Sequence, residues 1–156
     1  MKVSELLDAV EASPTWQSIV FRDDAMVVVE VDEGLRDGRT QYVEVYGTPK
    51  GGPIIRRTGA ALRLPDRIQL VTRVAWQEKA LFDDSDEDDE IARTIGRVLW
   101  DFKSFGHVRL PPYHCITTTM PARGLTLRDL ETMILAIGYI GDVAEHAVFA
   151  GEVDDF

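Results

Sequence analysis

Four side chains carry the reactive possibilities of this chain: His107, His114, His146 and Cys115, which are its only imidazoles and its only thiol. A structural zinc site takes four such groups in close pairs, and this spacing offers none. His114 and Cys115 are neighbours in an extended run, so their side chains leave opposite faces, and His146 belongs to another element. Cys115 has nothing basic fixed beside it by sequence. It reads as a small buried hydrophobe, and the three histidines read as structural.

The acidic run from Asp83 to Glu90 raises a calcium reading, because Asp84, Asp86 and Asp88 alternate as an EF-hand loop requires. The frame then fails. Asp89 falls where the loop needs glycine, and Ile95 falls where it needs a bidentate glutamate. A solvated acidic loop over 83–90 is expected, with no tight metal site. Gly47-Thr48-Pro49-Lys50-Gly51-Gly52 has its lysine ahead of the paired glycines and no Ser or Thr after it, so it reads as a hairpin loop and not a P-loop. No Gly-x-Ser-x-Gly elbow occurs. Arg56, Arg57, Arg63 and Arg67 form a central basic stretch, read as charge balance for the acidic run or, alternatively, as a site for a small anionic effector. Catalytic, cofactor and metal constellations are therefore not expected, and the chain reads as a non-enzyme.

Charge and composition bound the class. The 156 residues suit one domain, and 45% hydrophobic with 28% charged residues is a globular balance. The net charge of -10 disfavours duplex nucleic acid and anionic membranes as partners and favours basic ones. It is also localised. Residues 83–90 hold seven acids and the tail 152–156 holds three, leaving 17 acidic against 17 basic residues elsewhere. One cysteine forms no internal disulfide, and the N-terminal stretch lacks a signal-peptide core. No uninterrupted apolar run approaches the roughly 20 residues that span a bilayer. The expected location is the cytoplasm.

Positioning elements follow from periodicity. Val3, Leu6, Leu7 and Val10 predict a short helix with Ser4 as its cap, closed by Pro14. Gln17–Arg22 and Ala25–Val31 predict a hairpin about Asp23-Asp24, the second strand apolar on both faces and so central, with both sides covered. Thr40–Tyr46 alternates Val43 and Val45 against Tyr42, Glu44 and Tyr46; Ile68–Trp76 puts Ile68, Leu70, Val74 and Trp76 on one face. Ile91, Ile95, Val98, Leu99, Phe102 and Phe105 predict a helix after the acidic run. Strands at His107–Leu110 and Tyr113–Met120 meet through Pro111-Pro112, and Thr126 with Asp129 is a capping box that opens a last helix running to Ala150. The class is α+β, order α-β-β-β-β-α-β-β-α, in one domain spanning 1–156.

Two surfaces stand out. Trp100 lies roughly opposite Ile91 on a helical wheel, outside the core-facing arc, and needs either a cover or a partner. With Leu99 and Lys103 it forms the expected dimer contact. Tyr42, Tyr46 and Trp76 are the expected client-binding residues on the sheet. In the last helix, Leu130, Met133, Ile134, Ile137 and Ile140 make a wide apolar face, and Gly138 and Gly141 inside it suggest either close backbone approach or a bend.

This element order, together with Leu99-Trp100 through Phe105-Gly106-His107-Val108-Arg109-Leu110 and with Gly124-Leu125-Thr126-Leu127-Arg128-Asp129-Leu130, resembles the YbjN family, which is similar in fold to class I type III secretion chaperones. The stretch Leu99-Trp100-Asp101-Phe102-Lys103 lacks the asparagine of that family's Leu-Leu-x-x-Asn pattern. The resemblance implies a bacterial, cytosolic, dimeric α+β module that holds a segment of a client protein, with no catalytic residues to carry over.

Overall fold

The computed structural model describes residues 2–16, 18–32, 35, 38–48, 54–57, 60–63, 66–76 and 86–149. Three helices, α1 (Val3–Ala12), α2 (Asp86–Leu99) and α3 (Leu127–Phe149), accompany strands β1 (Ser18–Arg22), β2 (Met26–Val31), β3 (Gln41–Thr48), β4 (Ile54–Arg57), β5 (Ala60–Arg63), β6 (Arg67–Trp76), β7 (Gly106–Leu110) and β8 (Tyr113–Pro121). Six strands pair antiparallel in the order β1-β2-β3-β6-β8-β7. The main-sheet elements keep the expected order α-β-β-β-β-α-β-β-α. The excursion between β3 and β6 adds the separate hairpin β4-β5, absent from the expected order.

Local chemistry explains most boundaries. Asp23 Oδ1 accepts from the backbone N–H groups of Ala25 and Met26, both at 2.8 Å, which turns β1 into β2. The Thr126 hydroxyl accepts from the Asp129 N–H at 3.1 Å and its backbone N–H donates to Asp129 Oδ2 at 3.4 Å, the capping box expected for α3. At α1 the cap falls earlier than expected. Lys2, not Ser4, precedes the helix, and its backbone N–H donates to Glu5 Oε2 at 2.8 Å.

One face of the sheet carries the core. Val27, Val29 and Val31 of β2, Val43 and Val45 of β3, Ile68 and Leu70 of β6 and Ile116 of β8 are buried there against Leu6, Leu7 and Val10 of α1, Ile95 and Leu99 of α2, and Leu130, Ile134, Ile137 and Ile140 of α3. The expected close approach of α3 is present. A Cβ on Gly141 would lie 2.8 Å from Thr72 Cγ2, and one on Gly138 would lie 3.2 Å from Val31 Cγ1. By length and composition α3 is long and apolar enough to cross a membrane, with mean hydropathy 1.3, although Asp129, Glu131, Asp142 and Glu145 interrupt its apolar run. Its apolar side is the centrepiece of this core, which accounts for that composition.

Three expectations change. β2 is covered on one face only: its residues alternate between half-buried and buried, because no described helix lies over Met26, Val28 and Glu30. The acidic run is not a loop throughout, since Asp86–Glu90 form the opening of α2, where carboxylates suit the positive end of the helix. α2 ends at Leu99 and not at Phe105. Phe102 and Phe105 still pack on the core, from a chain of tight turns (Phe102 N–H to Leu99 C=O at 2.9 Å, Phe105 N–H to Phe102 C=O at 3.1 Å), so their apolar spacing outlasts the helix. Asp83 to Ser85, the tail 152–156 and Pro49 to Pro53 lie outside the described residues.

Candidate protein-binding surface

All three helices pack on the same face of the sheet, so strand alternation sends Val28, Tyr42, Glu44, Tyr46, Arg73 and Tyr113 to the other. Tyr42 is 53% exposed, and Glu44 and Tyr46 are half-buried. Arg73 organises this surface. Its guanidinium lies 4.3 Å from the centroid of the Tyr113 ring and donates to Glu44 Oε1 at 3.1 Å, a cation–π contact and an ion pair on one side chain. Burial, then the adjacent Glu44, pushes the Tyr46 phenol above its ordinary value and keeps it a neutral donor. A depression of about 440 Å³ opens along these strands, bordered by Val20, Val28, Tyr42, Glu44, Arg73 and Glu145.

Of the expected client-binding residues, Tyr42 and Tyr46 share this face. The third, Trp76, sits where β6 shifts register: Arg73 pairs with Cys115 but Ala75 pairs with His114, so Trp76 comes opposite Tyr113. The simple alternation expected for Ile68–Trp76 ends at that bulge; the Trp76 side chain is outside the described residues. Arg56, Arg57 and Arg63 lie on β4 and β5, with their side chains also outside them, and Arg67 opens β6.

The expected dimer contact divides. Leu99 is buried in the core of its own subunit. Trp100, at the end of α2, is 76% exposed, and Lys103 is exposed beside it. Arg93, Gly96, Arg97 and Trp100 follow one another at helical spacing. They border a shallow depression of about 590 Å³. Neither α1 nor any other described element covers this indole.

A second polar constellation involves residues that look purely structural in sequence. Asp88, near the start of α2, accepts from His114 Nε2 at 2.6 Å, and His114 Nδ1 meets His107 Nε2 at 2.9 Å. The rings stack with centroids 5.1 Å apart at 10°. Arg109 Nη2 lies 3.2 Å from the other oxygen of Asp88. Hairpin register creates the arrangement: His107 pairs with Ile116 and Arg109 with His114, which makes the two imidazoles diagonal neighbours under α2. The signal for this in sequence is the placement of the two imidazoles on either side of Pro111-Pro112, and it becomes informative only with the strand pairing in hand. His114 is 2% exposed. Among the described residues no group of three His, Cys, Asp or Glu side chains has metal-holding geometry. Cys115 is buried on the opposite sheet face, and desolvation, reinforced by Glu44, pushes its thiol up to about 11, so it stays protonated at neutral pH.

A scan of the chain against protein-family models finds no match, and a search of curated proteins finds none either.

Proposed function

We propose that this chain is a non-enzymatic, chaperone-like protein-binding module, homodimeric and cytoplasmic, that holds a segment of a client protein on the helix-free face of its sheet. The observation that carries this reading is that face itself: Tyr42, Tyr46, Tyr113 and Arg73 stand on a rigid six-stranded platform beside a depression, with no helix over them among the described residues. Aromatic and arginine side chains are the types that supply binding energy at protein interfaces, because each buries a large area for little lost freedom. An extended or helical client segment laid across the strands would bury the tyrosine rings and use Arg73 and Glu44 for polar register. The acids at 83–90 and 152–156 would speed encounter with basic clients. The likeness to the YbjN family and the secretion chaperones supports the same reading through element order.

Tyr42→Asp is the first test. It places a charge in the middle of the surface without touching the core, so the protein is expected to fold normally and to capture its client from a host lysate at least about tenfold less well. Tyr139→Asp, at an exposed position on α3, is the matched control and is expected to capture as wild type does. Equal capture by the two variants contradicts the proposed surface.

A further inference from the structure

Given that the helix-free face holds the client, as proposed above, we infer that its β1 side is a subsite for a basic, apolar segment: an aliphatic side chain seated against Val20, Phe21 and Val28, with a neighbouring lysine or arginine paired to Glu30. The apolar half of the subsite comes from a bulge. Ile19 pairs with Val29 and Phe21 with Val28, so Val20 is an extra residue in β1 with no partner of its own across the ladder. Ile19 packs on the core. Arg22 turns to the helix side, where its guanidinium donates to Asp8 Oδ1 at 2.6 Å and to Glu11 Oε2 at 3.1 Å. In a regular strand the two residues between them would leave opposite faces. Here both belong to the helix-free face: Val20 borders the depression, and Phe21 follows its partner Val28 onto that side. They are 54% and 47% exposed, and with Val28 they form an apolar shelf near the exposed Tyr42.

Charge decides what the shelf takes. Glu30 stands opposite Tyr42 on the same face, and the Ser18 hydroxyl donates to its carboxylate at 2.6 Å. No lysine or arginine among the described residues pairs with Glu30, whereas the other acids bordering this side each have a cation: Glu44 has Arg73, Glu145 has Arg39, and Asp8 and Glu11 have Arg22. Asp23 and Asp24 are exposed in the turn that follows β1 and form no ion pair among the described residues. The subsite is therefore apolar at its floor and acidic at its rim. It fits a segment whose apolar side chains alternate with basic ones along an extended chain laid on the strands. A second copy of this chain fits badly. Shelf against shelf would bring two sets of these carboxylates together, at a net charge of -10 on each molecule.

Fluorescence anisotropy on the full chain tests the subsite with labelled heptapeptides of alternating lysine and valine, glutamate and valine, or lysine and serine. At about 0.15 M salt, where attraction beyond about 8 Å is screened, the lysine–valine peptide is expected to bind about tenfold more tightly than either of the others. Val20→Ser combined with Phe21→Ser removes the shelf and is expected to weaken that binding about tenfold. Glu30→Gln keeps an acceptor for Ser18 and removes the charge, for an expected loss of about threefold. Glu30→Lys is expected to move the preference toward the glutamate–valine peptide. Asp101→Asn, at an exposed acid just beyond α2, controls for net charge and is expected to bind as wild type does.

No binding of the lysine–valine peptide, equal binding of all three, or an Asp101→Asn loss as large as that of Glu30→Gln overturns the subsite. A shelf variant that binds peptide normally but no longer self-associates in sedimentation gives the shelf to a second copy, and overturns it too. Tyr42→Asp separates these failures from failure of the face itself. A peptide held as tightly by the shelf variant as by wild type, yet lost in Tyr42→Asp, refutes the subsite and leaves the face standing.

Discussion

For the homodimer proposed above, Trp100→Glu is expected to yield folded monomers. The indole is 76% exposed at the end of α2, with Arg93, Gly96 and Arg97 along the same helix face. An exposed tryptophan in a depression is the kind of residue that anchors an interface, because its burial supplies a large share of the association energy. A glutamate there loses that area and puts a carboxylate at the contact. The combined cost is several kcal/mol, and about 4 kcal/mol raises the dissociation constant roughly a thousandfold. Folding is expected to be unaffected, since Leu99 rather than Trp100 reaches the core. Sedimentation of both proteins at equal concentration decides the matter. A monomeric wild type, or a variant that stays dimeric, removes Trp100 from the interface.

Arg39→Met is expected to cost about 3 kcal/mol of stability, the range for removing one partner of a buried ion pair. Arg39 Nε donates to Asp142 Oδ1 at 3.1 Å and its Nη2 reaches Glu145 at 3.1 Å, which ties the entry to β3 onto α3. Asp142 is almost wholly buried, next to the close approach of Gly141 to Thr72. Gln41 Nε2 donates to Thr72 Oγ1 and to the Arg73 carbonyl, both at 2.8 Å, so the helix sits on a polar cluster that packing keeps dry. Methionine keeps the stem of the side chain and removes its charge. Urea unfolding should show the loss at unchanged slope, with a melting temperature about 10 °C lower. Adding Asp142→Asn should recover part of it, because the lost charge then has no buried counterpart. A loss under about 1 kcal/mol would mean that Asp142 does not depend on Arg39.

Periodicity carried the sheet and both long helices, since Val43/Val45 against Tyr42/Tyr46 and the Leu130–Ile140 stripe each bury one side and expose the other. It failed where spacing and geometry part company. Phe102 and Phe105 keep the helical interval although the chain turns after Leu99, because turns can deliver an aromatic ring to the same core. The continuous valines of β2 suggest two covered faces; helices cover one, and the half-buried row at Met26 and Val28 belongs to the candidate surface. The bulge between Arg73 and Ala75 has no residue signature, so the register near Trp76 is illegible in sequence. The histidine chain depends on three residues from three elements, with contacts spanning 7 and 26 positions in sequence. Only the pairing of β7 with β8 and the seat of α2 bring them together.

The central claim is that the helix-free sheet face grips the client. A photoreactive phenylalanine analogue installed at position 42, at position 46 and, as a control, at the exposed position 139 of α3 tests it most directly when the purified protein is irradiated in host lysate. Adducts of one discrete client mass at 42 and 46, with none at 139, are the predicted result. The same adduct at all three positions, or adducts at 139 alone, would contradict the account.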